Sequence, residues 1–322
     1  MPDESGLTVG VDLGGTNIQA GLVSSDGKVL ARDSTKTKAE EGADHVVKRL
    51  CKLVEKVVET GDAKLKQIHA IGVGAPGAID FDTGVVLNAV NLRWRDYPLQ
   101  REMEDALECP VRIDNDVNVG AWGEYKAGAG QGFDDQFSMF IGTGIGGGLI
   151  LGGRIFHGPG GTAGEIGHTV LHAGGGIGRR TLEQWASRTA IADTIVQLVK
   201  ANRTSMVTDL TDGDFAKIRS KVLSQAYAAN DPLVREVLDQ AARDIGYAAA
   251  NTVTLLSLPC VVLGGGLVEA IESSWIDRVR EAFTEVVFPQ SLQDASVRVS
   301  TLGDDAGVIG AALLAGDSTA AS

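Results

Sequence analysis

One pattern occurs twice in this chain and limits what it can fold into. Residues 7–33 alternate apolar and polar positions up to Asp12, break at Leu13-Gly14-Gly15-Thr16, resume through Ile18, Ala20 and Leu22, turn at Ser24-Ser25-Asp26-Gly27, and continue over residues 29–32. This is the signature of a three-stranded meander with a glycine-rich first turn. Residues 136–156 repeat the plan: an apolar run to Ile141, a glycine-rich turn over 142–148, a run at 149–151, a Gly152-Gly153 turn and a third run at 154–156. A unit recurring this far along a chain reads as a duplication, so two similar halves are expected, each opened by a hairpin with glycines at its first turn. The length of 322 residues agrees with about two domains.

Between and beyond the two meanders, strand and helix patterns mix. Residues 43–59 place Val46, Val47, Leu50, Val54, Val57 and Val58 at helical spacing, closed by Gly61, which predicts an amphipathic helix. Residues 68–73 and 111–113 read as short buried strands, and residues 117–126 as a helix starting just after Asp116. Beyond Thr181 the pattern is mostly helical, with Pro232 in the favoured first turn of a long helix to about Leu256. Residues 259–263 form one more strand, ending in Gly264, Gly265 and Gly266; a strand at 297–302 and a small-residue helix over about 304–315 close the chain. Mixed elements, twice over, give an α/β protein of two similar lobes.

The charge balance narrows function. Lys and Arg number 29 against 42 Asp and Glu, a net charge of -13, and such a surface repels phosphate backbones and anionic lipid. A general nucleic-acid or membrane-surface partner is therefore not expected, whereas a small phosphorylated ligand held locally or through Mg²⁺ is allowed. Cys51, Cys109 and Cys260 are odd in number and far apart, which suits neither a disulfide framework nor a close-spaced metal site. Residues 1–6 carry no charged-then-apolar leader pattern and no run of about 18 apolar residues occurs, so the expected compartment is the cytoplasm.

Two stretches, Gly72-Val73-Gly74-Ala75-Pro76-Gly77 and Gly142-Thr143-Gly144-Ile145-Gly146-Gly147, match the dinucleotide-binding fingerprint by letter. Neither has its context, because that fingerprint needs a helix to follow, whereas residues 149–151 read as a strand and Pro76 with residues 80–84 as a loop. The alternative is a hairpin whose glycine turn lets backbone amides approach phosphate oxygens, with no Cβ in the way. Asp12, Gly14, Gly15, Thr16 and Asn17 fit this in the first half, and Gly142, Thr143 and Gly144 in the second. Either alone reads as an ordinary tight turn; together, at equivalent points of a duplication, they suit a nucleoside triphosphate. Asp12 then has a reason to be there, since Mg²⁺ on phosphates prefers carboxylate and water oxygens.

The order of motifs resembles the ROK family (repressors, open reading frames, sugar kinases), within the actin-like, hexokinase-like ATPase fold, and in particular its bacterial glucokinases. The shared stretches are Asp12-Leu-Gly-Gly-Thr16, Gly74-Ala-Pro-Gly77, Asn91-Leu-Arg-Trp94, Asn115-Asp116-Val-Asn118 with Gly123-Glu124, Gly142 to Gly147, Gly164-Glu165-Ile-Gly167-His168, Leu182-Glu183 before Ala186-Ser187, Leu263 to Gly266, and Leu302-Gly-Asp-Asp305 through Gly310. The resemblance implies two actin-like (ribonuclease H-like) lobes with a cleft between them. The first would comprise residues 1–117 plus about 304–322, since the last helix returns to it, and the second residues 118–303. It implies Asp116 as catalytic base, with Gly77, Asn91, Asn115, Glu165, His168 and Glu183 binding the sugar. Asp12, Gly14, Gly15, Thr16, Asn17, Thr143 and Gly144 would hold the Mg²⁺-bound phosphates of ATP, and Gly264, Gly265 and Gly266 would approach the adenosine.

The chemistry is consistent with those roles. Phosphoryl transfer has a loose transition state, so one carboxylate suffices to orient a hydroxyl and take its proton. Carboxylates and an imidazole suit a polyol, whose hydroxyls both donate and accept. Each residue also has a plainer reading: Asp116 as the N-cap of the following helix, Glu183 as part of a Thr181–Gln184 capping box, His168 as a structural histidine, and His45, His69, His157 and His172 likewise. One departure is clear. Family members commonly carry a Cys-x-Cys-Gly cluster that binds zinc after the Gly-His pair, but no cysteine lies between Cys109 and Cys260, so no structural zinc is expected. Arg179 and Arg180 are candidates to hold the shortened loop, and the orientation of His168 is left open.

The expected activity is transfer of the γ-phosphoryl group of Mg·ATP to the 6-hydroxyl of a hexose, foremost glucose, with the lobes closing on sugar to exclude water. Fructose, mannose, N-acetylglucosamine or N-acetylmannosamine as acceptor, and polyphosphate as donor, stay open. A sugar-sensing repressor is disfavoured by the acidic balance and by a first strand beginning at Leu7, and a non-catalytic binder by the presence of both Asp12 and Asp116. The family resemblance also suggests a homodimer.

Overall fold

In the structure, a computed structural model describing residues 6–271 and 273–320, the first alternating run becomes β1 (Thr8–Leu13), β2 (Asn17–Val23) and β3 (Val29–Lys36), paired antiparallel as a meander. The amphipathic segment is α1 (Ala43–Thr60), and the valines and leucine named from its spacing are all buried. Next come β4 (Ala70–Ala75), β5 (Ala78–Asp80), β6 (Val85–Ala89), β7 (Trp94–Tyr97), α2 (Leu99–Leu107), β8 (Val111–Asn115) and α3 (Asp116–Ala127). β4 pairs parallel to both β1 and β8, giving the sheet order β3-β2-β1-β4-β8. The segment after Gly77 is not all loop: β5, β6 and β7 form a small antiparallel sheet. Strands of three to five residues are too short for alternation to register in the sequence.

The second meander is β9 (Gln136–Ile141), β10 (Ile145–Leu151) and β11 (Arg154–Ile155). After α4 (Leu182–Ala186), α5 (Arg188–Lys200), α6 (Val207–Leu210), α7 (Ser220–Ala228) and α8 (Pro232–Leu256) come β12 (Cys260–Gly264), α9 (Ser273–Val286), β13 (Ser296–Val299) and α10 (Ala306–Ala320). The sheet order β11-β10-β9-β12-β13 matches the first sheet strand for strand, with β12 parallel to β9 and β13. This is the duplication in structural form. β10 starts at Ile145 rather than at residue 149, so the turn is only residues 142–144. Gly147 and Gly148 are strand residues whose missing side chains make room: a Cβ would stand 2.6 Å from the Phe137 ring at Gly147 and 2.5 Å from Ala121 Cβ at Gly148.

The chain divides into two units. The described residues of Met1–Asp134, Gly148–Ala163 and Asp304–Ser322 form the first, and those of Asp135–Gly147 and Gly164–Gly303 the second. The sequence reading changes lobe at residue 118, but α3 lies with the first unit because α10 is seated on it. Gly10, Gly72 and Gly310 permit this: a Cβ there would lie 1.8 Å from Val308 O, 1.8 Å from Ala311 O and 1.7 Å from Val119 O, so the backbones of β1, β4, α3 and α10 touch directly. In the second unit α8 packs on α4, α5, α7 and α9, and Asp231 caps it by accepting from Val234 N at 2.9 Å. No described helix is long and apolar enough to cross a membrane.

Candidate active site

In the first unit the parallel strands β1, β4 and β8 end at one edge, the edge at which open α/β sheets bind ligands. Register aligns Asp12 with Gly74 and Gly74 with Asp114, and the next step of β8 is Asn115, followed by Asp116 at the start of α3. Gly74 lets β4 come this close, since a Cβ would lie 2.5 Å from Val119 Cγ2 and 3.3 Å from Asp116 Cα. The N-cap of α3 is Asn115, not Asp116: its Oδ1 accepts from Val117 N at 2.9 Å and Asn118 N at 3.4 Å. Asp116 is half-buried and its Oδ1 accepts from Val117 N at 2.9 Å. Asn115 Nδ2 donates to Gly77 O at 3.2 Å. Gly77 has φ +95, and a Cβ there would collide with Asn88 O at 2.2 Å, so only glycine fits.

The first glycine turn lies in the same unit. Gly14 N donates to Asn17 O at 3.0 Å, Thr37 Oγ1 donates to Gly14 O at 2.6 Å, and Lys36 Nζ donates to Asn17 Oδ1 at 2.9 Å. Gly15, Thr16 and Asn17 are exposed, and Gly15 lies against the exposed Asn91, where a Cβ would be 3.1 Å from Asn91 Cβ. Burial, and then the negative charge of Asp304, push the Asp12 carboxyl up to about 6. The start of α10 closes on this carboxyl, with the Cβ position of Gly307 3.2 Å from Asp12 Cγ.

The second unit gathers the other set. Gly142 N donates to Gly144 O at 2.9 Å to close the turn, and Arg188 N donates to Gly142 O at 2.9 Å. Arg188 Nη2 donates to Thr143 Oγ1 at 2.6 Å and Thr189 Oγ1 donates to Thr143 O at 2.8 Å, so the first residues of α5 clamp the turn. Glu183, in a helix opened by the Thr181–Gln184 capping box, accepts from Ile145 N through Oε2 at 2.8 Å. Gly144 makes room for that oxygen, which a Cβ would meet at 2.3 Å. Gly167 brings the Ile166–His168 3-10 turn alongside, its Cβ position 2.2 Å from Ile145 O and 3.4 Å from Glu183 Cβ. The Glu165 and His168 side chains are 59% and 68% exposed, with Oε2 and Nε2 3.8 Å apart, so His168 is not a core histidine. Gly264 ends β12 and Gly265 and Gly266 follow it; Gly265 has φ +91, and Leu267 N donates to Ile141 O at 3.0 Å just before the glycine turn.

Each unit thus assembles its own share of the sequence candidates: Asp12, Gly14, Gly15, Thr16, Asn17, Gly77, Asn91, Asn115 and Asp116 in the first, and Thr143, Gly144, Glu165, His168, Glu183, Gly264, Gly265 and Gly266 in the second. The sequence reading missed Arg188 and Thr189, whose signal was their place after Ser187, the N-cap of α5. It also missed Asp114, and it treated His157 and His172 as plain structural histidines. Both histidines have buried carboxylate partners: His157 Nε2 lies 2.8 Å from Asp114 Oδ2, and His172 Nε2 lies 3.0 Å from Asp244 Oδ1.

The loop over residues 171–180 is held by side chains and backbone. Arg179 Nη2 donates to Thr194 Oγ1 at 2.7 Å and its guanidinium stands 5.2 Å from the Trp185 ring centroid, while Trp185 Nε1 donates to Arg179 O at 2.9 Å. Arg180 Nε donates to Gly175 O at 3.2 Å, and the amides of Leu171 and His172 both donate to Arg180 O. Among the described residues, no cluster of three or more His, Cys, Asp or Glu side chains is arranged to hold a metal ion.

A twice-used five-strand order with a glycine turn at the first hairpin of each sheet defines an actin-like ATPase fold. The sequence matches the ROK family over residues 8–318, and the chain belongs to that family. It is 34% identical over 307 residues to a glucokinase of Halalkalibacterium halodurans, covering 94% of this chain and 92% of that one. Among solved structures it is similar to a ROK family glucokinase from Streptomyces griseus in complex with glucose and AMPPNP, with TM-score 0.84, 33% identity, and coverage of 96% and 99%. It is also similar to a ROK hexokinase from Thermus thermophilus, with TM-score 0.81, 30% identity, and coverage of 98% and 100%.

Proposed function

We propose that this protein is an ATP-dependent hexose kinase that transfers the terminal phosphoryl group of Mg·ATP to the 6-hydroxyl of glucose. The observation that carries the reading is the row Asp12, Gly74, Asp114 at the carboxyl edge of the first sheet, running on into Asn115 and Asp116. The likeness to the glucokinases of H. halodurans and S. griseus over nearly the full chain supports glucose as acceptor and ATP as donor.

Asp116 accepts the proton of the 6-hydroxyl as its oxygen bonds to the γ-phosphorus and the bond to the β-γ bridging oxygen breaks, releasing ADP. Asn115 and Asn91 in the first unit, and Glu165, His168 and Glu183 in the second, hold sugar hydroxyls. The turns at 14–17 and 142–144 offer backbone amides to phosphate oxygens, and Arg188 adds positive charge beside the second turn. Asp12, with Asp304 near enough to raise its affinity for a proton, provides hard oxygen donors that suit a Mg²⁺ arriving on ATP, a cation that keeps water and phosphate as its other ligands. Bound there, Mg²⁺ neutralises phosphate charge. The two units serve as the two lobes, the location is cytoplasmic, and the assembly is a homodimer; these three rest on the family resemblance.

The test is ADP release from Mg·ATP with glucose, mannose, fructose, N-acetylglucosamine and N-acetylmannosamine, with polyphosphate as a second donor. Glucose should give the highest kcat/KM, and Asp116→Asn should lower kcat by roughly three or more orders of magnitude while glucose still binds. Turnover of Asp116→Asn within tenfold of the parent removes Asp116 as base, and no turnover on any sugar removes the kinase.

A further inference from the structure

Asp114 is the buried member of the row, its side chain 5% exposed, and a buried carboxylate must be partnered on both oxygens. Oδ1 accepts from Asn115 N at 2.7 Å and from Asn118 Nδ2 at 2.9 Å, spanning the first turn of α3 on either side of Asp116. Oδ2 faces His157 Nε2 at 2.8 Å. A carboxylate is acceptor-only, so Nε2 carries the proton, and it does so whether the imidazole is neutral or charged. His157 is itself fixed. Its ring lies against Phe81 with centroids 3.9 Å apart, its carbonyl accepts from Ala163 N at 3.0 Å, and Gly161 comes close enough to Phe81 that a Cβ would lie 3.1 Å from the ring.

We propose that His157 and Asp114 are a positioning pair that sets the backbone of Asn115 and hence the aim of the Asn115 and Asp116 side chains. His157 bonds Asp114, the residue immediately before Asn115, so it acts on the junction by holding Asp114. Without the His157 donor, Asp114 Oδ2 is buried and unsatisfied, and the carboxylate regains a partner by protonation or by rotating toward water. Protonation removes the charge that strengthens the two bonds to Oδ1, and rotation withdraws Oδ1 from its donors, so either response loosens the junction between β8 and α3. The effect on turnover rests on the kinase reading above; the effect on the junction does not.

The experiment compares His157→Phe, which keeps a ring on Phe81 and deletes the donor, with His157→Gln, whose amide can restore it. Two readouts are taken: amide hydrogen exchange over residues 114–118, and steady-state kinetics with glucose and Mg·ATP. In His157→Phe, exchange should accelerate on the order of tenfold, and glucose kcat/KM should fall on the order of tenfold, mostly in kcat. The KM for ATP should stay within about twofold, and His157→Gln should recover most of both losses. Unchanged exchange in folded His157→Phe overturns the pair, as does a loss that Gln does not relieve. Faster exchange with unaltered kinetics overturns its role in aiming Asp116. A wild-type protein inactive on every sugar of the panel sinks the kinase reading and leaves exchange to decide the pair. If His157→Phe does not fold, His157→Ala carries the same comparison.

Discussion

Replacing Gly72 by alanine should destabilise the first unit far more than adding one methyl group to an ordinary strand. At this position on β4 the new Cβ would lie 1.8 Å from the carbonyl oxygen of Ala311 and 2.4 Å from its carbonyl carbon. Ordinary contact requires a separation nearly twice as large, so α10 must retreat by roughly 1.5 Å along a line where it meets sheet backbone, with no flexible side chain to give way. That retreat also disturbs the fits at Gly10 and Gly310, whose Cβ positions lie 1.8 and 1.7 Å from neighbouring carbonyl oxygens. Overpacking in a core costs about 1–3 kcal/mol, and a clash between backbones belongs at or above the upper end, so the expected loss is about 3 kcal/mol or more. Gly174→Ala, where no heavy atom lies within 4 Å, serves as the control and should change stability by no more than about 0.5 kcal/mol. Urea unfolding followed by circular dichroism measures both. Equal midpoints for the two variants would refute the argument that α10 lies directly on the strands.

Other expectations follow from the same geometry. Cys51 and Cys260 have their thiols pushed up to about 11 by burial, and Cys109 is raised for the same reason. At pH 8 about one in a thousand of the first two is thiolate, so iodoacetamide should label none of the three in the native protein and all three after denaturation; prompt native labelling contradicts their burial. The loop after His168 is held by Arg179, Arg180 and Trp185, so a chelator should leave the unfolding midpoint unchanged, while Arg179→Ala should speed proteolysis within residues 170–180. Stoichiometric zinc in elemental analysis would overturn that account. Glu183→Ala strands Ile145 N beside the second glycine turn and should raise the KM for both ATP and glucose, on the order of tenfold, whereas Glu183→Gln keeps an accepting oxygen and should disturb mainly glucose. Equal ATP KM values for the two variants would separate Glu183 from the turn.

The sequence by itself determined what local chemistry controls. The two meanders, their glycine turns, the buried face of α1, the proline start of α8 and the placing of Asn115 and Asp116 at a strand-to-helix junction follow from side-chain period and turn preference, which act over a few residues. Motif order then pointed to Asp12, Glu165, His168 and Glu183. Tertiary structure decided the rest, since it depends on which distant segments meet. The alignment of Asp12, Gly74 and Asp114 is a product of parallel register between strands separated by helices and loops, and no period in the chain encodes it. Asp114 and His157 are 43 residues apart, and His172 and Asp244 are 72 apart, so neither pair leaves a local trace. Backbone conformation made Asn115 rather than Asp116 the helix cap, with φ -64 and ψ 144. Gly147 and Gly148, which read as turn residues, and Gly10, Gly72 and Gly310, which lie within a strand or helix pattern, are places where two elements meet with no room for a Cβ, and that is a property of the partner surface as much as of the glycine.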